Sequence, residues 1–105
     1  MKTHELKCWP EFFESIWAGD KTCEVRKNDR LFETGDQIWL REYAPSLAAY
    51  TGREILVEIT HMLSADDLCR VLRLREIHFC VMSIKVLRRG TVDPKAQSPE
   101  GASQP

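Results

Sequence analysis

Polar and apolar positions alternate from Thr3 to Cys8, with His4, Leu6 and Cys8 on one face and Thr3, Glu5 and Lys7 on the other. That period of two predicts a short strand. Pro10 suits the first turn of a helix, where its missing N–H costs nothing. Phe12, Phe13, Ile16 and Trp17 then form an apolar stripe at helical spacing, read as core, and Gly19 stands where a helix closes. Alternation resumes over Thr22–Lys27, setting Cys23 and Val25 against Thr22, Glu24 and Arg26. Asn28-Asp29-Arg30 and Thr34-Gly35-Asp36 read as turns. In Gln37–Tyr43, Ile38 and Leu40 share one face while Trp39, Arg41 and Tyr43 share the other. Ala44–Gly52 reads as a loop and Arg53–Met62 as a long strand burying Ile55, Val57 and Ile59. Ser64 before Ala65, Asp66 and Asp67 predicts a capped helix through about Leu72. Ile77–Leu87, apolar on both faces, predicts a final strand buried on both sides.

One helix followed by mainly antiparallel strands places the chain in the α+β class, as a small barrel closed to avoid exposed edges. Residues 1–90 form that one domain. The last fifteen residues, Thr91–Pro105, hold three of the five prolines. Their composition cannot bury enough apolar surface to order itself, which predicts a disordered tail.

Composition narrows the class without choosing a function. An apolar share of 43% with 30% charged residues is that of an ordinary globular chain. No apolar run approaches the roughly 18–20 residues of a membrane span, and MKTHELK lacks a signal peptide's apolar stretch, so a cytoplasmic monomer is expected. Cys8, Cys23, Cys69 and Cys80 form no C-x-x-C pair, and reduced, buried thiols are expected in place of a zinc site. The net charge of −1 conceals a division. Residues 1–68 carry 8 Lys and Arg against 13 Asp and Glu, a balance of −5; residues 69–90 carry 6 against 1, a balance of +5. Such a basic segment suits an anionic partner, or equally the acidic part of its own domain.

The densest candidate chemistry lies between Gly19 and Arg30. Glu24 and Arg26 share a strand face, with Lys21 at the preceding corner. A lysine, a carboxylate and a guanidinium converging at a barrel mouth can hold an anion or a polar base edge. The same residues can instead form a surface ion-pair ladder.

Several of these strings together resemble the activating-signal-cointegrator homology (ASCH) domain of the PUA-like superfamily, and most closely a small bacterial and phage group within it. The strings are His4-Glu5-Leu6-Lys7, Gly19-x-Lys21-Thr22-x-Glu24-x-Arg26, Asn28-Asp29-Arg30, Gly35-Asp36, Leu40-Arg41-Glu42-Tyr43 and Val81-Met82-Ser83-Ile84. The resemblance implies a PUA-like barrel that binds RNA or a nucleotide-like ligand in a cleft beside the first helix. Carried over by position, Lys21, Glu24 and Arg26 line that cleft, with Lys7 on the neighbouring strand. Lys7, Lys21 and Arg26 would meet phosphate and Glu24 an exocyclic amino group. Trp39 and Tyr43, flanking Arg41, would stack on bases or pack within the fold.

Some proteins of this resemblance are amidohydrolases of acetylated cytidine, with a lysine at the position of Lys21 and a threonine where Glu24 stands here. Lys21 and Glu24 would be the acid–base pair of such an enzyme, but the nucleophilic hydroxyl is replaced. A binding module is therefore expected ahead of a hydrolase, and a protein-interaction module is a third alternative. Neither residues nor resemblance demand a metal or an organic cofactor.

Overall fold

The computed structural model describes residues 1–92. Five strands and two short helices follow one another: β1 (Thr3–Cys8), α1 (Pro10–Trp17), β2 (Cys23–Arg26), β3 (Gln37–Ala44), β4 (Ala49–Leu63), α2 (Ala65–Leu72) and β5 (Cys80–Thr91). The sheet order is β1-β3-β4-β5-β2, with β1 parallel to β3 and every other pairing antiparallel. The mixed sheet curls into a half-barrel of the expected α+β class. Its two end strands are β1 and β2, and arginine side chains join them. Arg26 Nη2 donates to the Lys7 carbonyl at 2.6 Å and Arg30 Nη1 to the Glu5 carbonyl at 3.1 Å. The free edge of β1 is thus occupied by guanidinium groups where a closed barrel would set a neighbouring strand.

The concave face gathers the core. Ile38, Leu40, Ile55, Val57 and Ile59 are fully buried there, and α1 adds Phe13 and Ile16. Pro10 opens α1 from an extended Trp9, and Gly19, at φ +86°, takes the left-handed backbone just past its end. α2 is closed at its start by a reciprocal capping box, in which the Ser64 hydroxyl accepts from the Asp67 N–H and the Asp67 carboxylate accepts from the Ser64 N–H.

Several expectations are corrected. Ala44–Gly52 is mostly strand, since β3 continues to Ala44 and β4 begins at Ala49, leaving a four-residue turn. Tyr43 and Tyr50 draw the segment together, their rings meeting edge to face at 5.2 Å, and the Thr51 hydroxyl donates to Glu42 at 2.6 Å. The last strand starts at Cys80, after a left-handed Arg73 ends α2, and runs to Thr91. It buries one face only: Cys80, Met82 and Ile84 point inward, Ser83 and Lys85 outward. In β2 the face carrying Glu24 is the buried one, because register pairing sets Glu24 beside Met82 on the concave side and leaves Val25 52% exposed. Cys23 is exposed and Cys69 half-buried, so the expectation of buried thiols holds for Cys8 and Cys80. Thr91, assigned from sequence to the tail, ends β5, and the Val92 N–H donates to the Gly52 carbonyl. The rest of the expected tail lies outside the described residues. No helix among the described residues is long and apolar enough to cross a membrane.

Candidate functional site

The strand-to-helix corner Cys8-Trp9-Pro10 and the strand β2 enclose a cleft of about 460 Å³. Lys7, Cys8, Trp9, Phe12, Lys21, Glu24, Val25 and Arg26 line it. Its aromatic wall follows from helix geometry. Trp9 precedes Pro10, and Phe12 stands three residues later, so the two share a side of the helix start. Phe13 and Ile16 occupy the side that enters the core. Trp9 and Phe12 consequently remain 52% and 49% exposed.

The polar wall comes from β2 and the corner before it. Glu24 Oε1 accepts from Lys21 Nζ at 3.2 Å, and Oε2 accepts from Arg26 Nε at 2.5 Å. Lys21 Nζ also donates to the Cys23 carbonyl at 2.6 Å. The carboxylate is nearly buried, with a side-chain exposure of 6%, whereas Lys21 and Arg26 retain 27% and 28%. Each Glu24 oxygen makes one of these bonds, so each keeps acceptor capacity. Cys8 sits at the back of the cleft. Burial, reinforced by the nearby Glu24 charge, pushes its thiol up to about 12 despite the cations of Arg26 and Lys21. At neutral pH it is a neutral thiol.

Of the residues singled out from sequence, the fold brings Lys7, Lys21, Glu24 and Arg26 to this one cleft. Lys7 gives its carbonyl to Arg26, while its ammonium rests 4.4 Å above the Tyr43 ring. Trp39, Arg41 and Tyr43 lie elsewhere, on the outer side of β3. Trp39 is 2% exposed and its indole N–H donates to the Glu54 carboxylate, so it is packed away from any stacking partner. Arg41 is paired with Glu5 at 3.0 Å and covered by the Tyr50 ring at 3.9 Å. Tyr43 is half-buried against Tyr50.

Phe12, expected from its spacing to join Phe13, Ile16 and Trp17 in the core, faces the cleft instead, and Trp9 carries no sequence-based expectation. The signal available was their spacing around Pro10, which sets them a helical turn apart and off the Phe13–Ile16 side. No cluster of His, Cys, Asp and Glu among the described residues has the arrangement of a metal site.

Residues 3–84 match the family model described as a domain of unknown function, DUF3850. Over 66 residues the chain is 35% identical to an uncharacterised 12.9 kDa protein in the GpA 3′ region of Escherichia phage P2. That similarity takes in 63% of this chain and 59% of the phage protein's length. A model matched across nearly the whole half-barrel, from the first residue of β1 into β5, shows that the chain belongs to the DUF3850 family.

Proposed function

We propose that the chain is a binding module for RNA or a nucleotide-like ligand, with a base seated in the cleft between α1 and β2. One observation carries this reading: a nearly buried carboxylate flanked by two cations shares a cavity with two half-exposed aromatic rings. The rings of Trp9 and Phe12 offer stacking surface, worth about 1–3 kcal/mol per base. Glu24 accepts from an exocyclic amino group, and Lys21 and Arg26 bring positive charge to the ribose-phosphate side. The resemblance to ASCH domains supports the same class of ligand.

The chemistry of the wall favours binding over hydrolysis. Among the described residues lining the cleft there is no serine or threonine, and Cys8 is held as a neutral thiol. Lys21 has two acceptors in place and serves as a donor.

Titration with short single-stranded RNA, followed by tryptophan fluorescence at low and moderate salt, tests the reading. Stacking on Trp9 predicts a salt-sensitive quench that disappears in Trp9→Leu and weakens in Lys21→Ala. Unchanged fluorescence with no RNA retained would overturn the proposal and move the protein-interaction alternative ahead of it.

A further inference from the structure

A second cavity opens on the far side of Arg26. It measures about 200 Å³ and is lined by Leu6, Arg26, Lys27, Asp29, Arg30 and Phe32. Small-molecule sites usually enclose about 300–1,000 Å³, so this cavity suits a group of a few atoms and not a ring system. Arg26 lines both cavities, so one ligand can occupy the two by passing its guanidinium.

The charge in the second cavity is built and under-neutralised. Arg26 and Arg30 are both anchored on the free edge of β1, on the carbonyls of Lys7 and Glu5. Carbonyls two residues apart on a strand lie about 6.6 Å from one another. Two guanidinium groups spaced in that way can face a single tetrahedral oxyanion from either side. A guanidinium carries five N–H donors. Arg26 commits two, to Glu24 and Lys7, and Arg30 commits one, to Glu5, so both retain donors. Arg30 is only 17% exposed, yet its nearest carboxylate, Asp29, stands 4.0 Å away and is itself 69% exposed. Lys27 is exposed and has no ion-pair partner among the described residues. Arg26 is already paired with Glu24, so two further cations, Arg30 and Lys27, meet one solvated carboxylate.

We propose that this second cavity is a phosphate subsite, so that the ligand carries a phosphate next to the seated base. The inference rests on the base-binding reading of the larger cleft. The phosphate belongs either to a mononucleotide or to the diester of a strand; the chemistry recognised is the same.

Calorimetric titration with cytidine, cytidine 5′-monophosphate, the dinucleotide CpC and inorganic phosphate tests the assignment. Cytidine serves as the base probe because its exocyclic amino group suits Glu24. Cytidine 5′-monophosphate or CpC is expected to bind at least about tenfold more tightly than cytidine, given the strength of charge-assisted hydrogen bonds. Tighter binding of the monophosphate points to a terminal phosphate, and of CpC alone to a diester. Arg30→Gln should remove about tenfold of that preference and Lys27→Gln about threefold, both leaving cytidine affinity unchanged. Should Arg30→Gln fail to fold, the exposed Lys27→Gln carries the comparison. Equal affinity for cytidine and its phosphorylated forms, insensitive to both variants, would overturn the subsite and leave the cleft reading standing. If cytidine fails to bind but inorganic phosphate shifts the amide signals of Lys27 and Arg30, the subsite stands and the base reading falls. If phosphate leaves those signals unmoved as well, the subsite is overturned.

Discussion

Two carboxylates, Asp36 and Glu24, are each buried next to basic side chains, and the difference in how they are held separates folding from binding. Asp36 is 2% exposed and gathers donors from several segments. The Lys2 N–H reaches Oδ1 at 3.0 Å, and the Glu33 N–H and the His4 ring reach Oδ2 at 3.1 and 2.9 Å. These contacts fasten the start of β1 to the turn that launches β3. Glu24 is held by side chains from its own neighbourhood alone, Lys21 and Arg26, both part-exposed and facing an open cleft. A closed set of backbone donors fixes one conformation. A pair of part-exposed cations around a carboxylate at an open cleft leaves capacity for a ligand.

The largest expected effect of breaking this contrast is on stability. Asp36→Ala leaves two backbone N–H groups and His4 without their acceptor, and should cost about 3 kcal/mol in urea unfolding. Glu24→Gln should cost about 1 kcal/mol or less, since its partners stay in contact with water. Equal losses for the two would erase the distinction. Next in size is ligand affinity. Trp9→Ala should weaken RNA binding about tenfold, with stability changed by no more than about 0.5 kcal/mol because the ring is half-exposed.

Acid unfolding sharpens the same comparison. Burial opposes ionisation of Asp36, but the His4, Lys2 and Glu33 hydrogen bonds outweigh it and hold the carboxyl below its ordinary 3.8. Arg53 holds Glu42 below its ordinary 4.5 against the cost of burial. Both groups bind protons more readily in the unfolded chain. Their contribution is therefore complete above about pH 5 and is lost as pH falls through the depressed native values. A stability profile between neutrality and acid should show this decline, flattened in Asp36→Asn. The smallest effect concerns thiol access. Exposed Cys23 should react with iodoacetamide first at pH 8, with buried Cys8 and Cys80, both raised by desolvation, lagging behind in a mass-resolved time course.

Sequence legibility followed the same division between fold and site. The bounds of β1 were legible from the alternation between Thr3 and Cys8, although Glu5, on its polar face, is buried against Arg41. The Ser64 cap and the Gly19 stop were legible because they answer local backbone needs. In β2 the alternation separated the two faces without showing which is buried; register with β5 turns Glu24 inward and leaves Val25 exposed. The hairpin at Tyr43 and Tyr50 was hidden by Pro45 and the small residues beside it, since the ring contact that defines it joins positions seven apart. For Trp39 and Arg41 the sequence left stacking on bases and packing within the fold both open, and cross-sheet partners Glu54 and Glu5 decide for packing. Lys21, Glu24 and Arg26 were visible as a cluster; the aromatic half of the cleft required knowing which side of α1 enters the core.

The most direct measurement is an amide chemical-shift map of the ¹⁵N-labelled protein titrated with short single-stranded RNA. A base seated in the cleft should move signals centred on Trp9, Phe12, Lys21, Glu24 and Arg26, with the His4–Asp36 contact and the Trp39–Arg41 side of β3 silent. Changes centred on Arg41 and Tyr43, or on α2, or no changes at all, would contradict it.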